Sequence, residues 1–174
     1  MTAHPDSTEI DISPVVEQDP LDLRISVAAI IHWADSREVR LQVMRKVDFP
    51  VDDVAMFVVV NQLAYRGALR PTDLASTLGT GKANVSKIVQ RSEDVGLVVR
   101  VPSRSDERSV LVALTPAGRA IGERIMDAAE EQYRATVAGW DDQEIETLRR
   151  YFSRFAREAM AEMASRSPAI GHDI

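Results

Sequence analysis

No cysteine occurs among the 174 residues. That excludes disulfides, thiolate nucleophiles, thiol-based redox sensing and cysteine-ligated zinc. Histidine is nearly as scarce: His4 and His172 lie near the chain ends, and His32 is the only other. A histidine-built metal site is therefore not expected, and no cofactor is assigned. No His-Glu-x-x-His, phosphate-loop or dinucleotide fingerprint appears, so an enzyme is not expected. No run of 18 apolar residues exists, so no membrane-spanning helix is expected. No Lys or Arg precedes Arg24, and the start lacks the basic and apolar blocks of a secretory signal. A cytoplasmic chain without a membrane partner is the expectation.

What is present is ordinary for a globular protein of one domain: 45% hydrophobic and 28% charged residues. The net charge of −6 is unevenly placed. Residues 1–22 hold six acids (Asp6, Glu9, Asp11, Glu17, Asp19, Asp22) and no base, which leaves the other 152 residues neutral. Residues 81–108 hold six bases (Lys82, Lys87, Arg91, Arg100, Arg104, Arg108) against four acids, a local excess of +2. Phosphate attraction depends on such a patch rather than on the total. Residues 1–19, with Pro5, Pro14 and scattered acids, read as an acidic flexible tail.

From Pro20 to about Val47 the apolar spacing predicts one long helix with Pro20 in its first turn. Residues Ser26 to Trp33 are apolar on nearly all sides, which calls for burial by more than one neighbour and suggests a subunit interface. Asp48 to Asp52 is a break. Asp52 or Asp53 caps a second helix, Val54 to Tyr65, whose β-branched run is assigned to helix because of its length and cap. Gly67 ends it. A third helix starts at Pro71, with Leu74, Ala75 and Leu78 facing inward. Gly79 and Gly81 flank a turn, and a fourth helix runs from Lys82 to Val95 with Val85, Ile88, Val89 and Val95 as its buried stripe. Gly96 caps its end. Strands Leu97–Val101 and Val110–Leu114 form a hairpin around a charged tip. Thr115 and Pro116 open a fifth helix, carrying Ala120, Ile121, Ile125, Ala128 and Val137 and ending at Gly139. Asp141 caps the last, with a stripe of Ile145, Leu148, Phe152, Phe155, Ala159 and Met163.

Helix, two-glycine turn, helix and charged hairpin form the winged helix-turn-helix, a device for reading duplex DNA. The open face of the fourth helix carries Lys82, Asn84, Lys87, Gln90 and Arg91, with Ala83 and Ser86 small enough to let it sit deep in a groove. Asn and Gln pair with adenine edges, and Arg and Lys with guanine or phosphate. At the hairpin tip Arg104 and Arg108 are placed to reach a minor groove, and Asp106 to hold Arg108 extended through a charge-assisted hydrogen bond. His32 and Trp33 on the first helix, with Met56 on the second, are the candidates for lining a ligand cavity.

The run Asp106-Glu107-Arg108, then Leu114-Thr115-Pro116-Ala117-Gly118, resembles the wing and following helix start of the MarR family of bacterial transcriptional regulators. Leu74-Ala75 and Gly96-Leu97-Val98-x-Arg100 fall at that family's spacing. The resemblance covers about residues 20–163. It implies a homodimer on palindromic double-stranded operators, commonly released by a small, often aromatic, molecule. Two positions depart from the family pattern. Glu107 stands where a base is frequent, and Ser92 where a Leu usually packs beneath the recognition helix, so Ser92 leaves a gap or needs a hydrogen-bond partner.

The expected architecture is mainly α with a small β-hairpin wing, dimerised through N- and C-terminal helices. After the tail at 1–19 comes a single domain over 20–174, with 52–114 as its DNA-binding part and 20–47 and 116–165 as its dimerisation helices. The expected function is sequence-specific DNA binding, with repression relieved by a small effector. The alternative is a dimeric winged-helix interaction module that has lost DNA binding.

Overall fold

The computed structural model describes residues 12–16, 19, 21–103 and 109–166, with side chains through residue 162. The hairpin tip at 104–108 and most of the acidic tail lie outside the described residues. The described chain is mainly helical with one antiparallel hairpin, as the pattern predicted. It divides into two compact units, Met1–Gly122 and Glu123–Ile174.

The predicted long first helix is two helices. Helix α1 spans Leu23–Asp35 and α2 spans Arg37–Lys46. Ser36 between them is extended (φ −61°, ψ 127°), serving as the last cap of one helix and the first of the other. Asp and Ser both favour caps over helix interiors, and the Asp35-Ser36 pair falls at the break. The helix begins later than Pro20, at Leu23, where the Asp22 carboxylate accepts the Arg24 N–H. Helix α2 closes with Asp48 in the left-handed region (φ 48°), its N–H donating to Arg45 and that of Phe49 to Met44.

Helix α3 spans Val54–Arg66, and Asp53 is its cap, accepting the N–H groups of Ala55 and Met56. The β-branched run is helical, and Met56, Phe57, Val59, Val60 and Leu63 are buried. Helix α4 (Pro71–Thr77) buries Leu74 and Ala75, while Leu78 is half-buried. Gly79 (φ 58°) reverses the chain, and α5 follows over Lys82–Asp94. The stripe of α5 is Val85, Ile88, Val89 and Ser92. Val95, expected in that stripe, is 43% exposed because it is the cap residue beyond the last helical turn.

Gly96 (φ 74°) turns the chain into β1, Val98–Pro102, which pairs with β2, Val110–Leu114, from Val98↔Leu114 to Pro102↔Val110. Leu69 adds a single bridge to Val112, N–H to carbonyl in both directions at 3.0 and 2.8 Å. Helix α5 packs on α3 and on α4, and all three pack on the hairpin, around Val59, Val60, Leu74, Val85, Val89 and Val112.

Thr115 caps α6 (Pro116–Thr136) by accepting the Gly118 N–H. Helix α6 stops at Thr136, three residues before Gly139; Ile121, Ile125 and Ala128 are buried within it, Val137 is buried just beyond, and Ala120 is exposed. Helix α7 spans Asp142–Arg166. Asp141 and Glu144 form a reciprocal capping box there, each carboxylate accepting the other's N–H at 2.8–2.9 Å. Along α7, Ile145 and Leu148 are half-buried, whereas Phe152, Phe155 and Ala159 are exposed in the protomer. The Met163 side chain lies outside the described residues.

Candidate nucleic-acid interface

The chemistry of α5 follows from its two faces. Burying Val85, Ile88 and Val89 turns Lys82, Ala83, Asn84, Ser86, Lys87, Gln90 and Arg91 outward, and all seven are exposed. The helix starts directly at Gly81, whose backbone is extended and which offers no capping side chain. Thr80 supplies local support instead: its Oγ1 accepts from Asn84 Nδ2 at 3.0 Å. Lys82 and Lys87 have no ion-pair partner among the described residues, so both ammonium groups are available to an anion.

The C-terminal half of the same face is differently committed. Gln90 donates from Nε2 to Asp94 Oδ1 at 3.0 Å, and its Oε1 accepts from Arg100 at 3.4 Å. Arg91 donates from Nε and Nη2 to Asp53 Oδ2, at 3.2 and 2.7 Å. Burial raises the Asp53 carboxyl, but the Arg91 hydrogen bond, the Met56 N–H, the Arg91 charge and the Ala55 N–H outweigh it. The group is held below its ordinary value of 3.8. Arg100, which the sequence reading did not assign to the site, leaves β1 to ion-pair with Glu93 on α5. Its backbone N–H also donates to Glu93 Oε1 at 3.1 Å.

Ser92 does not leave an unsatisfied group. It is fully buried, and its Oγ donates to the Ile88 carbonyl at 2.9 Å, one turn back along α5. Arg104, Asp106 and Arg108, expected at the wing tip, lie outside the described residues. The strands carry the chain to that tip on an intact ladder, and the Ser103 N–H donates to the Ser109 carbonyl at 2.9 Å.

The three candidate ligand residues are not brought together. An open cleft of about 650 Å³ lies at the α1–α2 junction, lined by Ala28, Ile31, His32, Asp35, Ser36 and Arg37. His32 belongs to it. Trp33 is half-exposed and does not line it, and Met56 is buried in the α3 core. Among the described residues no helix is long and apolar enough to cross a membrane.

A family profile described as the MarR family matches residues 56–109, from α3 through the wing tip. The chain is 30% identical over 112 residues to the HTH-type transcriptional regulator FarR of Neisseria gonorrhoeae, covering 64% of this chain and 71% of FarR. It is 29% identical over 101 residues to the multiple antibiotic resistance protein MarR of Salmonella typhimurium, covering 58% of this chain and 69% of that one. Among solved structures, a MarR family protein from Bacillus stearothermophilus aligns with a TM-score of 0.62 at 18% identity, over 79% of this chain and 94% of that one. A mutant MarR from E. coli aligns at 0.60 and 20%, over 79% and 98%. At such identities the structural likeness shows the fold.

Proposed function

Because this chain belongs to the MarR family of DNA-binding transcriptional regulators, and is not an enzyme, we propose that it is a homodimeric, sequence-specific repressor acting in the cytoplasm. Two copies of α5 enter successive major grooves of a palindromic duplex, and two wings reach the flanking minor grooves. The observation that carries this reading is the open N-terminal half of α5, where Lys82, Asn84, Ser86 and Lys87 project from a helix whose opposite face is fully buried. Lys82 and Lys87 contact phosphate or guanine, Asn84 meets a base edge, and Ala83 and Ser86 permit close approach. Gln90 lies at the border of this surface. Arg104 and Arg108 serve the wing, with Asp106 orienting Arg108.

Release by a small aromatic molecule completes the proposal. The α1–α2 cleft with His32 supports it as an entry point, and Trp33 lies beside it on α1. A ligand that prefers a dimer of different half-site spacing lowers DNA affinity by its differential affinity for the two states. The deciding experiment is selection of bound sequences from random DNA by the full chain. Recovery of an inverted repeat supports the reading. Recovery of no enriched sequence, with no binding that weakens as salt rises, removes it in favour of a dimeric interaction module.

A further inference from the structure

Beyond Val89 the recognition helix buries no apolar side chain. Its apolar stripe of Val85, Ile88 and Val89 ends in Ser92, whose hydroxyl is satisfied within the helix and grips no other element. The residues on either side of Ser92 do grip other elements. Arg91 binds Asp53, the cap of α3, 38 positions earlier in the chain. Glu93 binds Arg100 on β1 through both side chain and backbone N–H. Arg100 reaches further along α5, to Gln90 Oε1 at 3.4 Å and the Ser86 carbonyl at 3.5 Å.

The Asp53–Arg91 grip carries a modest cost of release, that of a partly exposed ion pair. Asp53 Oδ1 is occupied by two capping N–H groups and Oδ2 by two donors of Arg91. Its side chain is only 25% exposed. Moving Arg91 to a phosphate leaves a partly buried carboxylate without its cation. Gln90 is held at both ends of its amide, along the helix rather than out toward a base.

We propose that Arg91 and Arg100 are positioning residues rather than DNA contacts: they brace α5 between the start of α3 and the first wing strand. The brace sets the angle at which Lys82 to Lys87 meet the groove and ties the wing to the same rigid frame. The inference rests on the DNA-binding reading above, and it removes Arg91 from the contact surface that the sequence alone assigned.

The test uses the full chain and the duplex recovered by selection, titrated at several salt concentrations. Asp53→Asn keeps an oxygen for capping and removes the charge. Arg91→Gln removes the other partner, and Lys87→Gln serves as a contact control. As a brace, both members of the pair behave alike. Each variant weakens cognate binding about threefold to fivefold, the scale of one partly exposed ion pair, with the salt slope unchanged. Lys87→Gln instead reduces the slope by about one phosphate. The proposal is overturned if Asp53→Asn tightens binding, as it would by freeing a contact arginine, or if Arg91→Gln lowers the slope as Lys87→Gln does. Amide exchange in α5 gives a second measure without DNA. Protection of that helix falls in both variants, and unchanged protection overturns the brace even if the wild-type chain binds no duplex and the functional reading fails.

Discussion

At Gly118 a hydrogen is the largest group the backbone admits. A Cβ there would sit 1.9 Å from the Leu97 carbonyl oxygen and 2.9 Å from its carbon. That oxygen is pinned, because it accepts from the Thr115 N–H at 3.1 Å and lies 3.3 Å from Thr115 Oγ1. The glycine of the Leu-Thr-x-x-Gly motif is thus required where α6 starts against the turn between α5 and β1. Gly118→Ala should cost about 3 kcal/mol, the upper range for overpacking a closed site, read as a lowered urea midpoint. A loss under 1 kcal/mol would mean that the contact relaxes at little cost. Asp53 gives a second prediction at this scale. Its carboxyl is depressed in the folded chain, so its contribution is complete above the unfolded value near 3.8 and is lost as pH falls through the lower folded value. Asp53→Ala should cost roughly 1 kcal/mol at neutral pH, as a lost helix cap does. The gap from wild type should narrow in denaturation series taken below pH 3.8. A gap independent of pH would assign the loss to packing. For the wing, Arg108→Ala should weaken cognate binding by roughly 1–3 kcal/mol, the scale of a good groove contact, in a titration at fixed salt.

Asp48 shows how an element can end on the wrong residue type. Helix α2 closes in a left-handed turn where glycine is the usual occupant, and Asp48 holds φ 48° there. Asp48→Gly should stabilise the chain by about 0.5–1 kcal/mol by removing that strain, seen as a raised thermal midpoint. What could be read in advance divides along the same lines. Helices α3, α4 and α6 were legible because each starts on its own signal: Asp53, Pro71, and Thr115 with Pro116. The break at Ser36 was not, because Val39 and Val43 continue the apolar spacing of α1 and only one residue leaves the helical region. Leu69↔Val112 is a single bridge, too short to leave a periodic trace. On α5 the outward face was legible from its buried stripe. The engagement of Arg91 was not, since its partner lies 38 residues away and no local spacing relates them. Val95 was misplaced for a simpler reason: helical periodicity was extended one residue past the last turn.

For the whole molecule, the weightiest fact is the apolar surface each unit leaves in the open. Helix α1 has no buried residue, although Ile30, Ile31 and Trp33 are 48%, 61% and 50% exposed. On α7, Tyr151, Phe152 and Phe155 are 58%, 49% and 48% exposed. A contiguous apolar face on a water-facing helix marks an interaction site. At about 25 cal/mol per Å² its burial drives association, and obligate homodimers commonly bury more than about 2,000 Å². The sequence carried this much: the all-round apolarity of Ser26 to Trp33 already asked for a second neighbour. Sedimentation of the full chain should therefore give a dimer. Single changes to Trp33→Glu or Phe155→Glu place a charge where the partner's apolar surface would close over it. An unpaired buried charge of that kind should weaken the dimer by about 3 kcal/mol, more than a hundredfold in its dissociation constant. Both side chains are half-exposed in the protomer, so each variant should keep its helical circular dichroism while losing mass. Cognate affinity should fall with dimer population, because a lone protomer covers one half-site. A variant that stays dimeric at micromolar concentration would place the two-fold contact elsewhere on the chain.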